Sequence, residues 1–231
     1  MSEAISHRTA NLKTPLTILI TGLLAAAIQF GIGILGWGGW HAFFVHPALQ
    51  VLAWTTVFFI VVAMFSGSSG LSSGKKEDRD NRWVLIAFMI IALLAAYFSA
   101  YTDRIGFWVI GGSGVRWLGV VICSLGSVIR LIPVFVLKKR FSGLVAIQAE
   151  HKLETHGIYG LVRNPSYLGM LITAVGWALA FRSIVGIILS LFILIPLIPR
   201  IRSEEQLLRA HFGLEYENYF ARTWRLIPWI Y

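Results

Sequence analysis

The sequence predicts an all-α, polytopic membrane protein with about six transmembrane helices and a cytoplasmic, amphipathic C-terminal helix. Of its 231 residues, 57% are hydrophobic and only 13% are charged, whereas an average soluble domain has about 45–50% and about 25%. The apolar residues fall in long runs, and the mean hydropathy is +0.73. Too little polar surface remains to cover a water-soluble domain of this size, which excludes an ordinary soluble enzyme.

Four apolar runs are each long enough for one crossing, because a helix needs about 20 apolar residues to cross the hydrocarbon core. They are Pro15–Trp37, Ala48–Phe65, Trp83–Tyr101 and Val115–Leu137. The next run, Tyr167–Ile201, is too long for a single span and has the polar Arg182 and Ser183 near its middle. We interpret this last run as two helices, Pro165–Phe181 and Ser183–Ile201, which gives six spans.

The basic residues predict the orientation of these spans. The formal net charge is +9, and 16 of the 20 Lys and Arg residues lie in segments that the six spans place on one side of the membrane. The exceptions are Arg104, Arg116 and Arg182, near the other side, and Arg130, inside the fourth span. By the positive-inside rule, both termini are cytoplasmic, and the membrane is the inner or plasma membrane if the protein is prokaryotic. The excess positive charge therefore requires no nucleic acid partner.

Polar residues concentrate in two segments on this cytoplasmic side, of which Gln148–Tyr167 is the first. Asn164 stands at the N-cap of the fifth span, and Pro165 takes the first helical position, where its missing N–H costs nothing. The amides at such a helix start favour an anion. Two interpretations remain open here: an anion site and an ordinary capped helix start.

The second polar segment begins at Arg200, at the end of the sixth span. Arg200 and Glu204 are four residues apart and share one helix face, while Arg202 and Glu205 point elsewhere. The pair is either a surface ion pair in a snorkelling basic belt or the lining of a polar pocket at membrane depth. The spacing does not decide between these two interpretations.

The C-terminal tail contains apolar residues that could form one stripe of an amphipathic helix. Such a helix either lies on the membrane or folds over the cytoplasmic ends of the spans. The residues of this stripe are Leu207, Leu208, Phe212, Tyr216, Tyr219 and Phe220.

Two other patterns resemble ligand sites and are better explained without a ligand. Gly31, Gly33 and Gly36 match the dinucleotide-binding spacing, but no strand precedes them, as that site requires. We expect these glycines to allow close helix packing instead. His41 and His46 are five residues apart without a cysteine or carboxylate nearby, so no metal is predicted.

The two polar segments together resemble the isoprenylcysteine carboxyl methyltransferase family, within the wider group of membrane methyltransferases that includes the phospholipid methyltransferases. The resemblance is clearest from Gln148 to Tyr231, about a third of the chain. It depends on the order and spacing of several elements: His151 to Tyr159, Val162 to Gly169, Arg200 with Glu204 and Glu205, Phe212-Gly213, Tyr216 and Ile227-Pro228. It implies a catalytic region over residues 115–231, with three spans, after an N-terminal transmembrane region over residues 1–114, also with three spans.

The resemblance implies S-adenosylmethionine as methyl donor and assigns roles by position. Arg200 matches the arginine that meets the substrate, as a catalytic and substrate-binding residue. One departure matters, because Asn164 replaces the family's histidine and cannot exchange a proton near neutral pH. The cofactor-binding residues by this resemblance are Gln148, His151, Lys152, Leu153, Glu154, Tyr159, Asn164, Pro165, Ser166, Tyr167 and Glu204.

The resemblance implies a carboxyl O-methyltransferase acting on a lipid-embedded, isoprenylcysteine-type carboxylate. Its partners would be a lipid-like or prenylated substrate within the bilayer and membrane lipids, with no nucleic acid and no metal. A free carboxyl with a pKa of about 3.5 is already ionised at pH 7, so no general base is needed.

Two alternatives remain open. The first is a phospholipid or other amine N-methyltransferase, in which an ammonium must lose a proton before it reacts. His151, His156 and His211 are the candidate bases for that chemistry. The second alternative is a membrane protein that binds a ligand or partner without catalysis. Absence of S-adenosylmethionine binding would support this alternative.

Overall fold

The computed structural model describes residues 2–68, 76–77, 81–141, 144, 146–147 and 153–231. Within these ranges the chain forms nine α-helices, two 3₁₀ turns at Lys138–Arg140 and Gly157–Gly160, and one antiparallel pair of two-residue strands, Lys76–Glu77 and Ala146–Ile147. The all-α fold class is therefore confirmed. The helices are α1 (Ser2–Trp37), α2 (Trp40–Phe44), α3 (Pro47–Met64), α4 (Trp83–Ile105), α5 (Ser113–Leu137), α6 (Pro165–Ala180), α7 (Ile184–Leu191), α8 (Leu194–Phe212) and α9 (Leu214–Ala221).

The long apolar helices confirm that this is an integral membrane protein. Five stretches in the described part of the chain are long and apolar enough to cross a bilayer: Pro15–Trp37, Pro47–Met64, Trp83–Ile105, Ser113–Leu137 and Ile184–Phe212. The first four agree with the predicted spans to within a few residues. The predicted fifth span corresponds to α6, which is apolar but has only 16 residues. The total of six crossings therefore stays a prediction.

The predicted sixth span, Ser183–Ile201, falls within the apolar stretch Ile184–Phe212, which is long enough to cross a bilayer, but a short turn at Phe192 and Ile193 interrupts its helix. The turn before it is confirmed, since Ser183 caps α7 by accepting a hydrogen bond from the amide of Gly186 at 2.8 Å. The helix then breaks after Leu191, and α8 continues past Ile201 to Phe212. Pro196 explains the break, because it has no N–H and its ring clashes with the carbonyl four residues earlier.

Helices α5 and α6 lie in backbone contact along their lengths. A Cβ atom added at Gly169 of α6 would collide with the backbone nitrogen of Arg130 in α5, and only glycine permits this approach. The contact is repeated at seven-residue intervals on both helices, which fixes the register of α5 against α6. The glycines at this interface are Gly119, Gly126, Gly169 and Gly176.

The glycine pattern in α1 also serves helix packing. A Cβ atom at Gly36 would lie 2.5 Å from the carbonyl oxygen of Tyr97 in α4. The packing interpretation is thus confirmed at Gly36, whereas a Cβ atom at Gly31 would meet nothing within 4 Å. Around this contact, α1 and α4 join a buried apolar cluster with α2, α3, α5 and α6.

The end of the bundle where α4 ends and α5 begins holds a closed ionic cluster, which we call the outer cluster: Asp103, Arg116 and Arg182. Asp103 Oδ1 accepts a hydrogen bond from Arg182 Nη2 at 2.6 Å, and Asp103 Oδ2 lies 2.5 Å from Arg116 Nη1. Arg116 Nη1 also donates a hydrogen bond to the carbonyl of Ala180 at 3.1 Å, and Arg182 Nη1 donates one to the carbonyl of Gly111 at 3.0 Å. The outer cluster therefore ties α4, α5 and the turn between α6 and α7 together.

Candidate active site

At the opposite end of the bundle, a cavity of about 220 Å³ lies between α4, α5, α6, α8 and α9. A single water needs only roughly 10–15 Å³, so this space is far larger than a packing defect. The structure brings together at this cavity all nine of the predicted site residues that it describes: Leu153, Glu154, Tyr159, Asn164, Pro165, Ser166, Tyr167, Arg200 and Glu204. The other three, Gln148, His151 and Lys152, lie outside the described residues.

Tyr167 joins the two polar segments through its hydroxyl. Arg200 Nε donates a hydrogen bond to the Tyr167 hydroxyl at 2.8 Å, and that hydroxyl donates to Glu204 Oε2 at 2.7 Å. Arg200 is only 3% exposed. The pair on α8 therefore lines a polar pocket, and the alternative of a surface ion pair is wrong. The sequence placed Arg200 and Glu204 on one face, but nothing in it revealed the tyrosine between them.

The loop before α6 contributes a second carboxylate and a second tyrosine to the cavity. Glu154 Oε2 lies 3.7 Å from Arg140 Nη2, and Glu154 Oε1 accepts a hydrogen bond from the amide of His156 at 3.3 Å. The carbonyl of Tyr159 accepts a hydrogen bond from the Tyr219 hydroxyl at 2.9 Å. Burial, reinforced by the charge of Glu204, raises the pKa of the Tyr159 phenol above its ordinary value. Tyr159 therefore remains a neutral phenol at physiological pH.

Asn164 occupies the predicted N-cap position of α6, but its side chain does not cap the helix. The side chain is buried, and Nδ2 donates a hydrogen bond to the carbonyl of Arg225 at 2.8 Å. The amide is thus used to hold the C-terminal tail against the start of α6. Because Pro165 carries no N–H, Ser166 provides the first backbone donor of this helix at the cavity wall.

A buried network of charged side chains holds the wall of the cavity in place. The sequence did not predict this network. Glu205 Oε1 accepts hydrogen bonds from Arg163 Nε at 3.1 Å and Arg225 Nε at 3.1 Å, and Glu205 Oε2 lies 2.9 Å from Arg225 Nη2. Arg163 also donates to the carbonyl of Phe220 at 3.0 Å. Helical spacing predicted that Glu205 points away from Glu204, but its two partners come from distant segments and left no local signal.

The tail folds over this end of the bundle, and the predicted single amphipathic helix is wrong. Helix α8 ends at Phe212, Gly213 follows with a φ of +54°, and α9 begins at Leu214. The positive φ favours glycine and breaks the predicted stripe into two parts. Of the stripe residues on α9, Tyr216 and Tyr219 are buried and line the cavity, whereas Phe220 is not part of the cavity wall.

Among the described residues, no histidine lines the cavity. In the part of the chain that the structure describes, no group of three or more His, Cys, Asp or Glu residues could hold a metal ion. Among the described histidines, His156 and His211 do not line the cavity, and the His156 side chain is 92% exposed.

Known membrane methyltransferases are similar to this chain in sequence. Residues 115–215 match the phospholipid methyltransferase family. A probable protein-S-isoprenylcysteine O-methyltransferase of Oryza sativa subsp. indica is 36% identical over 119 residues, which are 50% of this chain and 62% of the rice protein. The predicted resemblance to the isoprenylcysteine carboxyl methyltransferase family is confirmed by this sequence similarity. Protein-S-isoprenylcysteine O-methyltransferase B of Arabidopsis thaliana is 31% identical over 48% of this chain and 58% of its own length.

The fold also has a counterpart among solved structures. The eukaryotic intramembrane Ras methyltransferase, an isoprenylcysteine carboxyl methyltransferase, superposes with a TM-score of 0.52 over 93% of this chain and 86% of that chain. The sequence identity is 19%, so this likeness establishes the fold alone. In sequence, the chain spans less than two thirds of the length of the plant relatives.

Proposed function

We propose that this protein is an S-adenosylmethionine-dependent carboxyl O-methyltransferase that acts on a lipid-embedded, isoprenylcysteine-type carboxylate. One observation carries the proposal: the residues assigned from two separate polar segments meet around one cavity. The names of the relatives, protein-S-isoprenylcysteine O-methyltransferases, support the choice of acceptor.

The side chains around the cavity suit S-adenosylmethionine. When bound, this cofactor would supply an electrophilic methyl group carried on a sulfonium cation. The carboxylates of Glu154 and Glu204 would attract that positive charge, and the rings of Tyr159 and Tyr167 would present their faces to it. Asn164, Pro165, Ser166 and Leu153 would complete the binding wall, and Gln148, His151 and Lys152 are proposed on the resemblance alone.

The remaining residues provide position and charge rather than proton transfer. An acceptor carboxyl is ionised at pH 7 and needs no base. Arg200 would orient this carboxylate, and Tyr167 holds the Arg200 guanidinium in place through its 2.8 Å hydrogen bond. Apolar residues on another part of the wall, Leu85, Phe88 and Met170, would accept the lipid chain and exclude water.

The assigned catalytic region, residues 115–231, does not form the cavity alone. Leu85 and Phe88 belong to α4, in the N-terminal transmembrane region over residues 1–114. We therefore propose that the N-terminal region contributes part of the acceptor wall, while residues 115–231 provide the groups that bind the donor. The prenylated substrate would reach this wall from the bilayer.

Methylation of an amine is the second candidate, favoured by the match to the phospholipid methyltransferase family. That reaction requires a group that removes a proton from an ammonium. Of the three candidate bases, His151 lies outside the described residues, and neither His156 nor His211 lines the cavity. The cavity wall therefore supports transfer to a carboxylate better than transfer to an amine.

The proposal is tested with purified full-length protein in lipid nanodiscs and S-adenosylmethionine labelled on its methyl group. The acceptors are N-acetyl-S-farnesylcysteine, its carboxamide and phosphatidylethanolamine. We expect label on the free acid alone, released by mild base as an ester. Base-stable label on phosphatidylethanolamine would establish the second candidate instead. If no acceptor is labelled and S-adenosylmethionine does not bind, the protein is a binding protein without this activity.

We also propose that both termini are cytoplasmic, because the basic residues are concentrated on that side. The orientation is tested by labelling single cysteines in intact cells on a Cys123→Ala background. Ser113→Cys, at the exposed start of α5, should react with an impermeant reagent from outside, and Glu215→Cys, on α9, only after the cells are opened. The reverse pattern would show that the orientation is inverted.

A further inference from the structure

The C-terminal segment, residues 222–231, is both apolar and basic. It contains two arginines, two tryptophans and no Asp or Glu. Two adjacent apolar side chains in this segment are largely exposed, Trp229 at 79% and Ile230 at 77%. A single exposed apolar residue, such as Leu214 on α9, is ordinary on a protein surface, whereas adjacent ones form a patch.

Residues 226–231 form a closed loop that turns this patch outward. The amides of Leu226 and Ile227 donate hydrogen bonds to the main-chain oxygen of Tyr231 at 2.8 and 3.0 Å. Trp229 has a φ of +64°, a left-handed conformation that is strained for a bulky residue. Leu226 is buried on the inner side of the same loop. The folded loop, rather than a lack of structure, therefore exposes Trp229 and Ile230.

The loop packs beside a membrane-spanning stretch, Ile184–Phe212. Leu226 belongs to one buried apolar cluster with Leu197 and Ile201 of α8. Both α8 residues lie near the end of the predicted sixth span, which ends at Ile201. The loop is therefore placed where this span leaves the hydrocarbon core of the bilayer.

Arg225 fixes the loop in this position. Its Nη2 lies 2.9 Å from Glu205 Oε2 of α8, and its Nη1 donates a hydrogen bond to the Tyr231 hydroxyl at 2.7 Å. The charge of Arg225 is thus compensated within the chain. Arg222 is exposed, so its charge is the one that this segment presents at the surface.

We propose that Trp229 and Ile230 insert into the lipid leaflet on the cavity side and anchor the C-terminal segment to the bilayer. Trp is suited to the headgroup level, because its indole combines an apolar ring with an N–H donor. Ile230 has no polar side-chain atom and would lie among the upper acyl chains. Arg222 would lie near the lipid phosphates. Lipid is favoured over a protein partner because the loop packs beside a span, where lipid is its neighbour.

Such an anchor would also support the wall of the cavity. The amide of Trp224 donates a hydrogen bond to the carbonyl of Leu161 at 2.9 Å, and the amide of Arg163 donates to the carbonyl of Trp224 at 2.8 Å. The anchored segment is therefore paired with the loop that leads into α6. Lipid contacts at Trp229 and Ile230 would limit how far this pair of segments separates.

Fluorescence quenching on the full-length protein in nanodiscs tests the insertion. Single cysteines, Ile230→Cys and Glu215→Cys on a Cys123→Ala background, are labelled with the fluorophore NBD, and both positions are exposed. The quenchers are aqueous iodide and phosphatidylcholine that carries a nitroxide near the top of its acyl chain. We expect the nitroxide to quench the label at position 230 at least about twofold more than the label at 215, because an inserted side chain lies roughly 5–10 Å into the headgroup and acyl boundary. Iodide should show the reverse order.

Hydrogen exchange in the same nanodiscs tests the anchoring. The double variant Trp229→Ser, Ile230→Ser should increase the exchange rate of the peptide containing Trp224 by at least about threefold, because local opening becomes easier when the segment loses its lipid contacts. Leu214→Ser is the matched control, since it also removes an exposed apolar side chain, and it should leave this rate unchanged.

Three results would overturn the inference. Equal iodide quenching at positions 230 and 215, without nitroxide quenching, would show that the loop tip faces water. Protection of position 230 from both quenchers would show that protein covers the patch, as in contact with a second copy. Unchanged exchange in the double variant would show that the two side chains do not anchor the segment. None of these results depends on the proposed methyltransferase activity.

Discussion

The two ends of the helical bundle both contain arginines, but these arginines are arranged in opposite ways. In the outer cluster, Arg116 and Arg182 share the carboxylate of Asp103, and their remaining donors reach backbone carbonyls. At the cavity, Arg130 and Arg200 line an open space, and the Tyr167 hydroxyl joins Arg200 to Glu204. An arginine in a span therefore does not by itself indicate function.

The physical basis of this difference is desolvation. A buried ion loses its hydration, and only a partner with good geometry compensates for that loss. The outer cluster supplies its partner from within the chain and so acts as a structural tie between helices. At the cavity, under the proposed function, an anionic acceptor would add to the compensation that the chain itself provides.

The largest expected effect tests the outer cluster. Asp103→Asn leaves Arg116 and Arg182 buried against a neutral amide and should lower the free energy of unfolding by about 3–5 kcal/mol. Unfolding by titration with sodium dodecyl sulfate measures this loss. The matched control is Glu217→Gln, because Glu217 is half exposed and pairs with Arg209 at 3.2 Å. Such a surface pair contributes at most about 1 kcal/mol.

The comparison also predicts that folded Asp103→Asn protein binds S-adenosylmethionine with the affinity of the wild type. Asp103 lies at the end of the bundle opposite the cavity and does not line it. A weaker affinity without a change in stability would show that the outer cluster has a role in binding, and the contrast between the two ends would be wrong.

The next effect concerns Arg200. Arg200→Lys keeps the charge but cannot preserve both the bond to the Tyr167 hydroxyl and a planar fork for the acceptor. We expect kcat/KM for a carboxylate acceptor to fall about 10–100-fold, equivalent to roughly 1.4–2.8 kcal/mol of transition-state stabilisation. Expression and cofactor binding should be retained. Arg202→Lys, on another face of α8, is the control, and equal activities of the two variants would remove Arg200 from the reaction.

Removal of the Glu204 carboxylate should weaken cofactor binding by a free energy similar to the transition-state loss expected for Arg200→Lys. Glu204→Ala deletes a carboxylate of the cavity wall, and we expect the affinity for S-adenosylmethionine to fall by about 1–3 kcal/mol in calorimetry. Glu215→Ala, on an exposed part of α9, is a suitable control. Glu205 is not suitable, because it is bound to Arg163 and Arg225. An unchanged affinity in Glu204→Ala would contradict the assignment.

The smallest effect tests how the tail closes the cavity. Tyr219→Phe removes the 2.9 Å hydrogen bond from α9 to the carbonyl of Tyr159 and keeps the ring. Stability should fall by about 0.5–1.5 kcal/mol, and cofactor affinity should fall slightly with it. Protection of the α9 amides in hydrogen exchange measures the effect. Protection equal to that of the wild type would show that the hydroxyl does not hold the tail.

Helix boundaries were predictable where hydrophobicity alone sets them. The predicted second and fourth spans, Ala48–Phe65 and Val115–Leu137, differ from α3 and α5 by at most two residues at either end. Errors occurred where one residue interrupts an apolar pattern. Pro196 divides the predicted sixth span, and Gly213 divides the predicted tail helix. Both residues act through the backbone, which a hydrophobicity pattern does not represent.

Several residues of the cavity wall were predictable, but the hydrogen bonds between them were not. The family resemblance assigned nine described residues that the fold gathers at one cavity. The same reasoning missed the hydroxyl of Tyr167 between Arg200 and Glu204, because the tyrosine is 33 and 37 residues away from them in the chain. It also left Arg130 without a role, since a single arginine in a span has no pattern around it.

The sequence by itself determined that this chain lies in a membrane, where most of its spans begin and end, and which residues are available for chemistry. These properties depend on local composition, and the bilayer acts on each segment separately. Tertiary structure decided which charges are neutralised. Asp103 compensates Arg116 and Arg182, Glu205 compensates Arg163 and Arg225, and the close contact of α5 with α6 leaves Arg130 facing the cavity. The Coulomb energy that separates a structural tie from a binding site depends on distances of a few ångströms between segments far apart in the chain, and only the folded structure fixes those distances.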